Sequence, residues 1–351
     1  MAEIATPQVP AEERKKNRLG LTLPEYQGSA STLCSGCGHD AITNQVIRAF
    51  YEMGVQPHMV AKMSGIGCSS KTPAYFLGKS HGFNAVHGRM PAISTGAMLA
   101  NKQLVTIGVS GDGDTASIGM GQFIHLVRRN VPMIYIIENN GVYGLTKGQF
   151  SATADLHSKS KWGQENQMQP IDCCALGIEL GCGYVARSFS GDMKQLLAIL
   201  KGAIAHKGLA LLDVVSPCIT FNNHEGSTKA YKWAKDHEMP LHEIGFVPFF
   251  EQVEAEVKPG ETKRIDFPDG SHVILKRVGE DYDPTNKGQA LLTLLKAREE
   301  NLFLTGLLYT DTKTPDFCSQ LNMVDQPLAT LPESMTRPPK AVLEEVMERL
   351  R

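Results

Sequence analysis

Short apolar runs alternate with amphipathic stretches over the first two thirds of the chain. HMVAKMSGIGC reads as a strand entering a glycine-rich turn, LVTIGVSGDGD as a strand and loop, PMIYIIENNGVYG as a second such pair, and LALLDVVSPC as a further buried strand. Helical patterns lie between them: CSGCGHDAITNQVIRAFYEMGV, where Ala41, Val46, Ile47, Phe50 and Tyr51 share a face, then MPAISTGAMLANK, IGMGQFIHLVRRN and MKQLLAILKGAIAHKG. Strands that are apolar at nearly every position are buried on both faces, and their alternation with helices marks a parallel sheet covered on each side. The expected fold class is α/β, a doubly wound, mostly parallel sheet. Such sheets take ligands at the carboxyl ends of their strands. Each glycine- or cysteine-rich turn above lies at that end.

The pattern changes character twice. Residues 1–30 are polar and read as a flexible N-terminal arm, and 31–240 hold the sheet. Residues 241–351 open with the charged, less regular FFEQVEAEVKPGETKRIDFPDGSHVILKRVGEDYDP and close on the helical PKAVLEEVMERLR, a C-terminal extension. Composition acts mainly by exclusion. With 351 residues, 42% apolar and 21% charged, the chain is an ordinary globular one. A net charge of −2 argues against a dedicated nucleic-acid partner. The N-terminus lacks the apolar core of a signal peptide and no run reaches the length of a membrane span, so a cytoplasmic location without membrane contact is expected.

The loop GDGDTASIGMG places Asp112 and Asp114 where glycines usually cradle phosphate. A tight turn is one reading of GDG; a dinucleotide fingerprint through Gly111, Gly113 and Ala116 is another. Charge counts against the second, because a bare carboxylate repels a pyrophosphate. A divalent cation reverses that sign. Mg²⁺ takes a carboxylate, an amide or backbone oxygen, and substrate phosphates together. Asp112 at one strand end and Asn140 at another could supply the protein's share.

The eight cysteines add a second chemistry. In a reducing compartment structural disulfides are disfavoured, leaving metal binding or simple burial. Cys34 and Cys37 stand at C-x-x-C spacing, Cys68 follows a strand in a glycine-rich turn, and Cys218 follows another strand. A structural zinc favours two close pairs, whereas an iron–sulfur cluster accepts one pair with two scattered singles.

Six segments then occur in order between residues 34 and 218: CSGCGH, GIGCSSKTP, HGRMPAISTGAMLAN, GDGDTASIGMGQ, ENNGVYGLTKGQFS and VSPC. With them the chain resembles the β subunit of the 2-oxoacid:ferredoxin oxidoreductases. The resemblance implies a sheet of the thiamine diphosphate-binding type. It implies thiamine diphosphate held through Mg²⁺ by Asp112, the Asn140 side chain and the Val142 backbone oxygen, with Gly111, Gly113, Asp114, Gly144 and Leu145 around the cofactor. Asp114 either caps the following helix or orders the loop. By the same resemblance Cys34, Cys37, Cys68 and Cys218 ligate one [4Fe–4S] cluster, while Cys173, Cys174, Cys182 and Cys318 default to core or surface thiols. His87 and Arg89 resemble a segment near the reaction centre, where His87 could assist proton transfer and Arg89 bind an anion or brace a loop. His39 orders the cluster loop.

The implied reaction joins a 2-oxo acid, coenzyme A and ferredoxin to give an acyl-CoA, CO2 and reduced ferredoxin, or runs in reverse. Only one diphosphate motif is present, so an α subunit is expected to supply the pyrimidine-binding module in an αβ or (αβ)2 assembly. The C-terminal extension is expected to contact the cluster or that partner. Lys71 and Lys147 sit on loops nearest the cofactor, and members acting on 2-oxoglutarate resemble the chain at both. The preferred substrate is therefore 2-oxoglutarate, giving succinyl-CoA, with pyruvate or a branched-chain acid as the alternative, and a zinc-stabilised, non-catalytic binding subunit as the reading from another class.

Overall fold

The apolar runs read from the sequence form the centre of an eight-stranded sheet among the described residues. A computed structural model describes residues 15–160, 162–218, 229, 238–240, 262–266, 272–276, 282–300 and 303–351. Its strands are β1 (Val60–Ser64), β2 (His81–Asn84), β3 (Val105–Gly111), β4 (Met133–Asn139), β5 (Val142–Tyr143), β6 (Gln149–Phe150), β7 (Tyr184–Phe189), β8 (Leu209–Val215), β9 (Glu238–Pro240), β10 (Thr262–Asp266), β11 (His272–Lys276) and β12 (Phe303–Thr310). The helices are α1 (Gly38–Glu52), α2 (Thr72–Tyr75), α3 (Met90–Ala100), α4 (Met120–Arg129), α5 (Cys173–Glu179), α6 (Met193–Ala205), α7 (Lys287–Glu299), α8 (Phe317–Gln320), α9 (Glu333–Thr336) and α10 (Lys340–Arg349).

The strand order is β2-β1-β3-β4-β8-β7-β12-β9. From β2 to β7 every pairing is parallel, and β12 joins β7 antiparallel. The expected α/β, mostly parallel sheet is therefore present. Alternate positions of the buried strands feed two cores. One face carries Met63, Tyr135, Ile137 and Leu211 under α3, α4, α5 and α7; the other carries Ile107, Val109, Ile136 and Leu212 under α1 and α6. After β1 the chain moves outward to β2 and then crosses back to β3 on the other side of β1. That reversal opens a crevice at the carboxyl ends of β1 and β3, where open α/β sheets bind ligands.

Two boundaries differ from the expectation. Residues 15–28 are no loose arm: Tyr26 is fully buried, its hydroxyl accepts from Asn17 Nδ2 at 2.8 Å, and its ring meets Tyr51 edge-on. Gly28 N donates to Tyr75 O at 2.9 Å, tying this stretch to the end of α2. Residues 1–14 lie outside the described residues. The division at 240 also fails, because β12 completes the main sheet and α7 buries Ala290, Leu294 and Ala297 in the core shared with α5. FLTGLLYT is as apolar as β3, and only its antiparallel pairing with β7, more than a hundred residues away, places it in the main sheet. Of the irregular stretch, the β10–β11 pair and residues 282–284 lie among the described residues. Among the described residues, no helix is long and apolar enough to cross a membrane.

Candidate cofactor cleft

Asp112 and Gly113 follow β3 as the opening of a helical segment, not as a tight turn. The segment widens into a π-helical turn at Asp114–Ile118 before α4. A π-turn inserts an extra residue per turn and is characteristic of functional sites. Gly113 is required by close approach: a methyl there would come within 2.5 Å of the Tyr143 ring, whose hydroxyl donates to Gly113 O at 3.0 Å. At Gly88 the φ of +67° and the backbone of Gly119 each exclude a side chain, since a methyl would lie 2.7 Å from Gly119 Cα.

Asp112 is buried and its carboxylate accepts from Ser151 Oγ, from Thr153 Oγ1 at 2.7 Å and from Asn140 N at 3.3 Å. Burial pushes this carboxyl above its ordinary range, against those three donors. Those donors and the positive charge of Lys229 favour the ionised form, an oxygen donor of the kind that Mg²⁺ takes. Asn140, the residue immediately after β3's neighbour β4, keeps its side-chain oxygen on Val142 N at 3.1 Å. The Asp112–Asn140 contact therefore sets a carboxylate and an amide side by side across two parallel strands, with Val142 in the same turn.

A polar chain backs this pair. Thr153 Oγ1 lies 2.7 Å from Asp112 Oδ2 and 2.9 Å from Asn139 Oδ1, so its one proton serves one of them at a time. Asn139 Nδ2 donates to Asp213 Oδ1 at 2.9 Å, and Arg187 bridges Asp213 (3.0 Å) to Asp172 (2.7 Å). Asp172 also caps α5 by accepting from Ala175 N at 3.0 Å. Burial works against the Asp172 charge, but the Arg187 guanidinium holds its carboxyl below the usual range.

Asp114 has a different task. Its Oδ1 accepts Gly88 N at 2.8 Å, and its Oδ2 accepts Ile66 N at 3.2 Å and Ser110 Oγ at 3.0 Å. It makes no helix-capping bond. Of the two roles read from the sequence it takes the loop-ordering one, pinning the turns after β1 and β2 to the end of β3.

One cleft of about 180 Å³ gathers Cys68, His87, Gly111, Asp112, Gly113, Asp114, Asn140, Val142, Gly144 and Leu145. Arg89, Lys71 and Lys147 do not line it. Arg89 is exposed at the start of α3, within 3.5 Å of Gly88 O. Lys71 is half-buried beside the Cys68 turn, near enough to favour a Cys68 thiolate, and Lys147 is exposed at the β5–β6 turn with a φ of +80°.

The cysteines divide as expected between surface turns and core. Cys173, Cys174, Cys182 and Cys318 are buried among apolar side chains. Cys34, Cys37, Cys68 and Cys218 are exposed or half-buried. Cys37 N donates to Cys34 O at 3.0 Å, closing the C-x-x-C turn at the head of α1. A methyl built on Gly144 would lie 3.6 Å from both Cys68 Sγ and Cys218 Sγ, so these two sulfurs flank one glycine. Cys37 and Cys34 lie within electrostatic reach of Cys218 and Cys68 respectively. Burial pushes the Cys37 thiol up to about 12 and raises Cys68 as well. Among the described residues no three His, Cys, Asp or Glu side chains converge tightly enough to hold a single metal ion.

Several residues of the cleft escaped the sequence reading. Glu138, at the end of β4, is buried without a well-formed hydrogen bond and with its carboxyl pushed far up by burial. His39 Nε2 stands 3.7 Å from it, while His39 Nδ1 meets Ser216 Oγ at 2.6 Å; burial lowers this imidazole to about 4. Burial disfavours the charge on both partners. Ser151, Thr153 and Tyr143 were also missed. Tyr143 and Ser151 lie within the segment ENNGVYGLTKGQFS and Thr153 just after it, but nothing local marks them as partners of Gly113 and Asp112, a meeting made by the β5–β6 hairpin.

Comparison with known proteins adds independent constraints. The thiamine pyrophosphate enzyme, C-terminal TPP binding domain family matches residues 63–214. A 2-oxoacid:ferredoxin oxidoreductase subunit beta from Sulfolobus is 45% identical over 191 residues, covering 54% of this chain and 63% of that one. The chain thus spans less than two thirds of that relative. A 2-oxoglutarate synthase subunit KorB from Methanocaldococcus jannaschii is 33% identical over 241 residues, 67% of this chain and 88% of that one. Among solved structures, a 2-oxoglutarate:ferredoxin oxidoreductase from Magnetococcus marinus, with 2-oxoglutarate, coenzyme A and succinyl-CoA bound, superposes with a TM-score of 0.69. It is 29% identical, over 87% of this chain and 92% of that one.

Proposed function

Since the chain belongs to the family of 2-oxoacid:ferredoxin oxidoreductase β subunits, we propose that it is the thiamine diphosphate-binding half of an enzyme interconverting 2-oxoglutarate and succinyl-CoA. The observation that carries this reading is the convergence of Asp112, Asn140 and Cys68 on one cleft at the switch point of the sheet. The relatives named for 2-oxoglutarate support the substrate.

In this reading Asp112, the Asn140 side chain and the Val142 backbone oxygen hold Mg²⁺, and Cys34, Cys37, Cys68 and Cys218 hold one [4Fe–4S] cluster. When bound, thiamine diphosphate supplies the electron sink for loss of CO2 and the cluster takes electrons one at a time. The chain's own residues do the rest. Gly111 and Gly113 let the backbone approach the diphosphate without steric obstruction. Tyr143, locked on Gly113 O, closes one wall against water. His87, exposed on the cleft, holds a proton near the reacting carbon, and Asp114 keeps its loop in place. Lys147, exposed on the β5–β6 turn, reaches for the distal carboxylate that pyruvate lacks, and Lys71 adds positive potential. An α subunit completes the site over the exposed apolar rim of Val86, Ile118 and Leu145, and coenzyme A and ferredoxin are the co-substrates.

Purifying the chain with its α partner without oxygen tests the reading. Ferredoxin reduction dependent on coenzyme A is expected with 2-oxoglutarate and weak with pyruvate or branched-chain acids. Equal rates with pyruvate would move the chain to the alternative substrate class. A colourless protein holding stoichiometric zinc would overturn the cluster assignment.

A further inference from the structure

Gly144 sits where the two chemistries of the cleft meet. It lines the cleft together with Asp112, Asn140 and Cys68. The methyl position on its Cα also lies 3.6 Å from Cys68 Sγ and 3.6 Å from Cys218 Sγ, so a side chain there would touch both sulfurs at once. Among the described residues nothing else beyond its chain neighbours comes within 4 Å of that point. The missing side chain therefore leaves a notch that opens onto two of the four proposed cluster ligands.

The polypeptide itself does not ask for glycine there. The backbone of Gly144 lies outside the left-handed region, unlike that of Gly141 (φ +73°) and Gly148 (φ +107°) to either side. A methyl 3.6 Å from its nearest neighbours is in ordinary van der Waals contact. Gly113, in the same cleft, is the contrast, because there the Tyr143 ring would stand 2.5 Å from a methyl. Alanine suits the conformation and the room at 144, and by restricting the unfolded chain it would stabilise the fold. The glycine is thus a residue the fold alone would not select.

The walls of the notch are braced. Lys147 N donates to Gly144 O at 3.1 Å and Gly148 N to Tyr143 O at 2.9 Å, which fixes the turn that carries Gly144. The turn leading to Cys68 is held by Ile66 N on Asp114 Oδ2 at 3.2 Å. Ser216, two residues before Cys218, donates through its N–H to Asn139 O at 2.8 Å, and its Oγ meets the buried His39 Nδ1 at 2.6 Å. A side chain added at 144 would be taken up by the notch and not by movement of its walls.

We propose that Gly144 is a positioning residue for the iron–sulfur cluster, and that the cluster and not the fold requires its glycine. A cluster is bulkier than a single ion, because its irons and sulfides fill the space that the thiolates enclose. The notch beside Cys68 and Cys218 leaves that space free. At this point the wall between the cluster and the thiamine cleft is bare backbone. The proposal rests on the assignment of Cys34, Cys37, Cys68 and Cys218 to one [4Fe–4S] cluster.

Purifying the αβ complex without oxygen, as wild type, Gly144→Ala and Gly144→Val, tests it, with iron per chain and the electron paramagnetic resonance of the reduced cluster as readouts. Iron is expected to fall severalfold in Gly144→Ala and further in Gly144→Val. The cluster that remains in Gly144→Ala should give a resonance altered from the wild type. Gly144→Ala placed in a Cys68→Ser chain, where the ligand set is already broken, checks the fold: circular dichroism and melting should stay as in Cys68→Ser alone. Full iron with an unaltered resonance in both single variants would overturn the proposal. So would a lower melting temperature in the Cys68→Ser background, which would make the glycine a demand of the fold. A wild-type complex without iron would overturn the cluster assignment itself, and the proposal with it.

Discussion

The Asp114 carboxylate accepts the Gly88 amide at 2.8 Å across 26 residues of chain, and its other oxygen takes the amide of Ile66. One side chain thus joins the His87 turn, the turn leading to Cys68 and the end of β3. The expected consequence of Asp114→Ala is a loss of about 1–3 kcal/mol from three orphaned partners. Asp114→Asn should recover only part of it, because its amide nitrogen cannot accept. Hydrogen exchange checks the assignment: the Gly88 and Ile66 amides should lose protection together, ahead of the β3 core. Unchanged protection at either would show that the carboxylate is not the strut.

Thr153→Val removes the hydroxyl behind Asp112 while keeping its shape. Outer partners of metal ligands are worth roughly 10–100-fold in affinity, so Mg²⁺-dependent retention of thiamine diphosphate should weaken by that order. Asp112→Ala should abolish it. Titrating Mg²⁺ into the anaerobic αβ complex, with cofactor retention as readout, distinguishes the two.

For the cysteines the contrast is positional. Cys68→Ser and Cys218→Ser should each deplete iron and visible absorbance in protein purified without oxygen. Cys173→Ala, in the core, should keep the iron and instead lower the melting temperature. Iron content and melting, measured on the same samples, should move in opposite variants.

Lys147→Ala should raise the KM for 2-oxoglutarate roughly tenfold or more, the worth of one charge-assisted hydrogen bond. The KM for pyruvate should hardly move. Equal changes for the two acids would remove Lys147 from substrate selection.

Burial lowers the His206 imidazole from 6.5 to about 4, with Asp311 opposing the shift. The unfolded chain therefore binds a proton between pH 6.5 and 4 that the folded chain refuses, so stability present above 6.5 is lost as pH falls through that window. In His206→Phe the denaturation midpoint should depend less steeply on pH across the same range. An identical slope would place the acid sensitivity elsewhere.

How much of this was legible in the sequence varies by residue. β3, β4 and β8 stand out because burial on both faces leaves a nearly continuous apolar run, broken in β8 only by Asp213. Asp112 and Asn140 are legible because a carboxylate in a phosphate-type loop is an electrostatic anomaly that only a cation resolves. Glu138 was not, because nothing local marks a carboxyl as buried; only the packing of α1 and the Cys68 turn around it does. Nor was β12, whose antiparallel pairing with β7 spans more than a hundred residues and leaves no periodic trace. The helical face of α1 was legible at Val46, Ile47 and Phe50, which are buried, but not at its edges, where Ile42 and Ala49 are buried and Ala41 and Tyr51 half-exposed.

The line of contacts from Asp112 through Thr153, Asn139, Asp213 and Arg187 to Asp172 gives the protein a lever arm. Its far end is the cap that starts α5, remote from any ligand. A substitution at position 172 would therefore reach the set of the Asp112 carboxylate through five successive contacts, so the start of α5 and the mouth of the cleft are one mechanical unit.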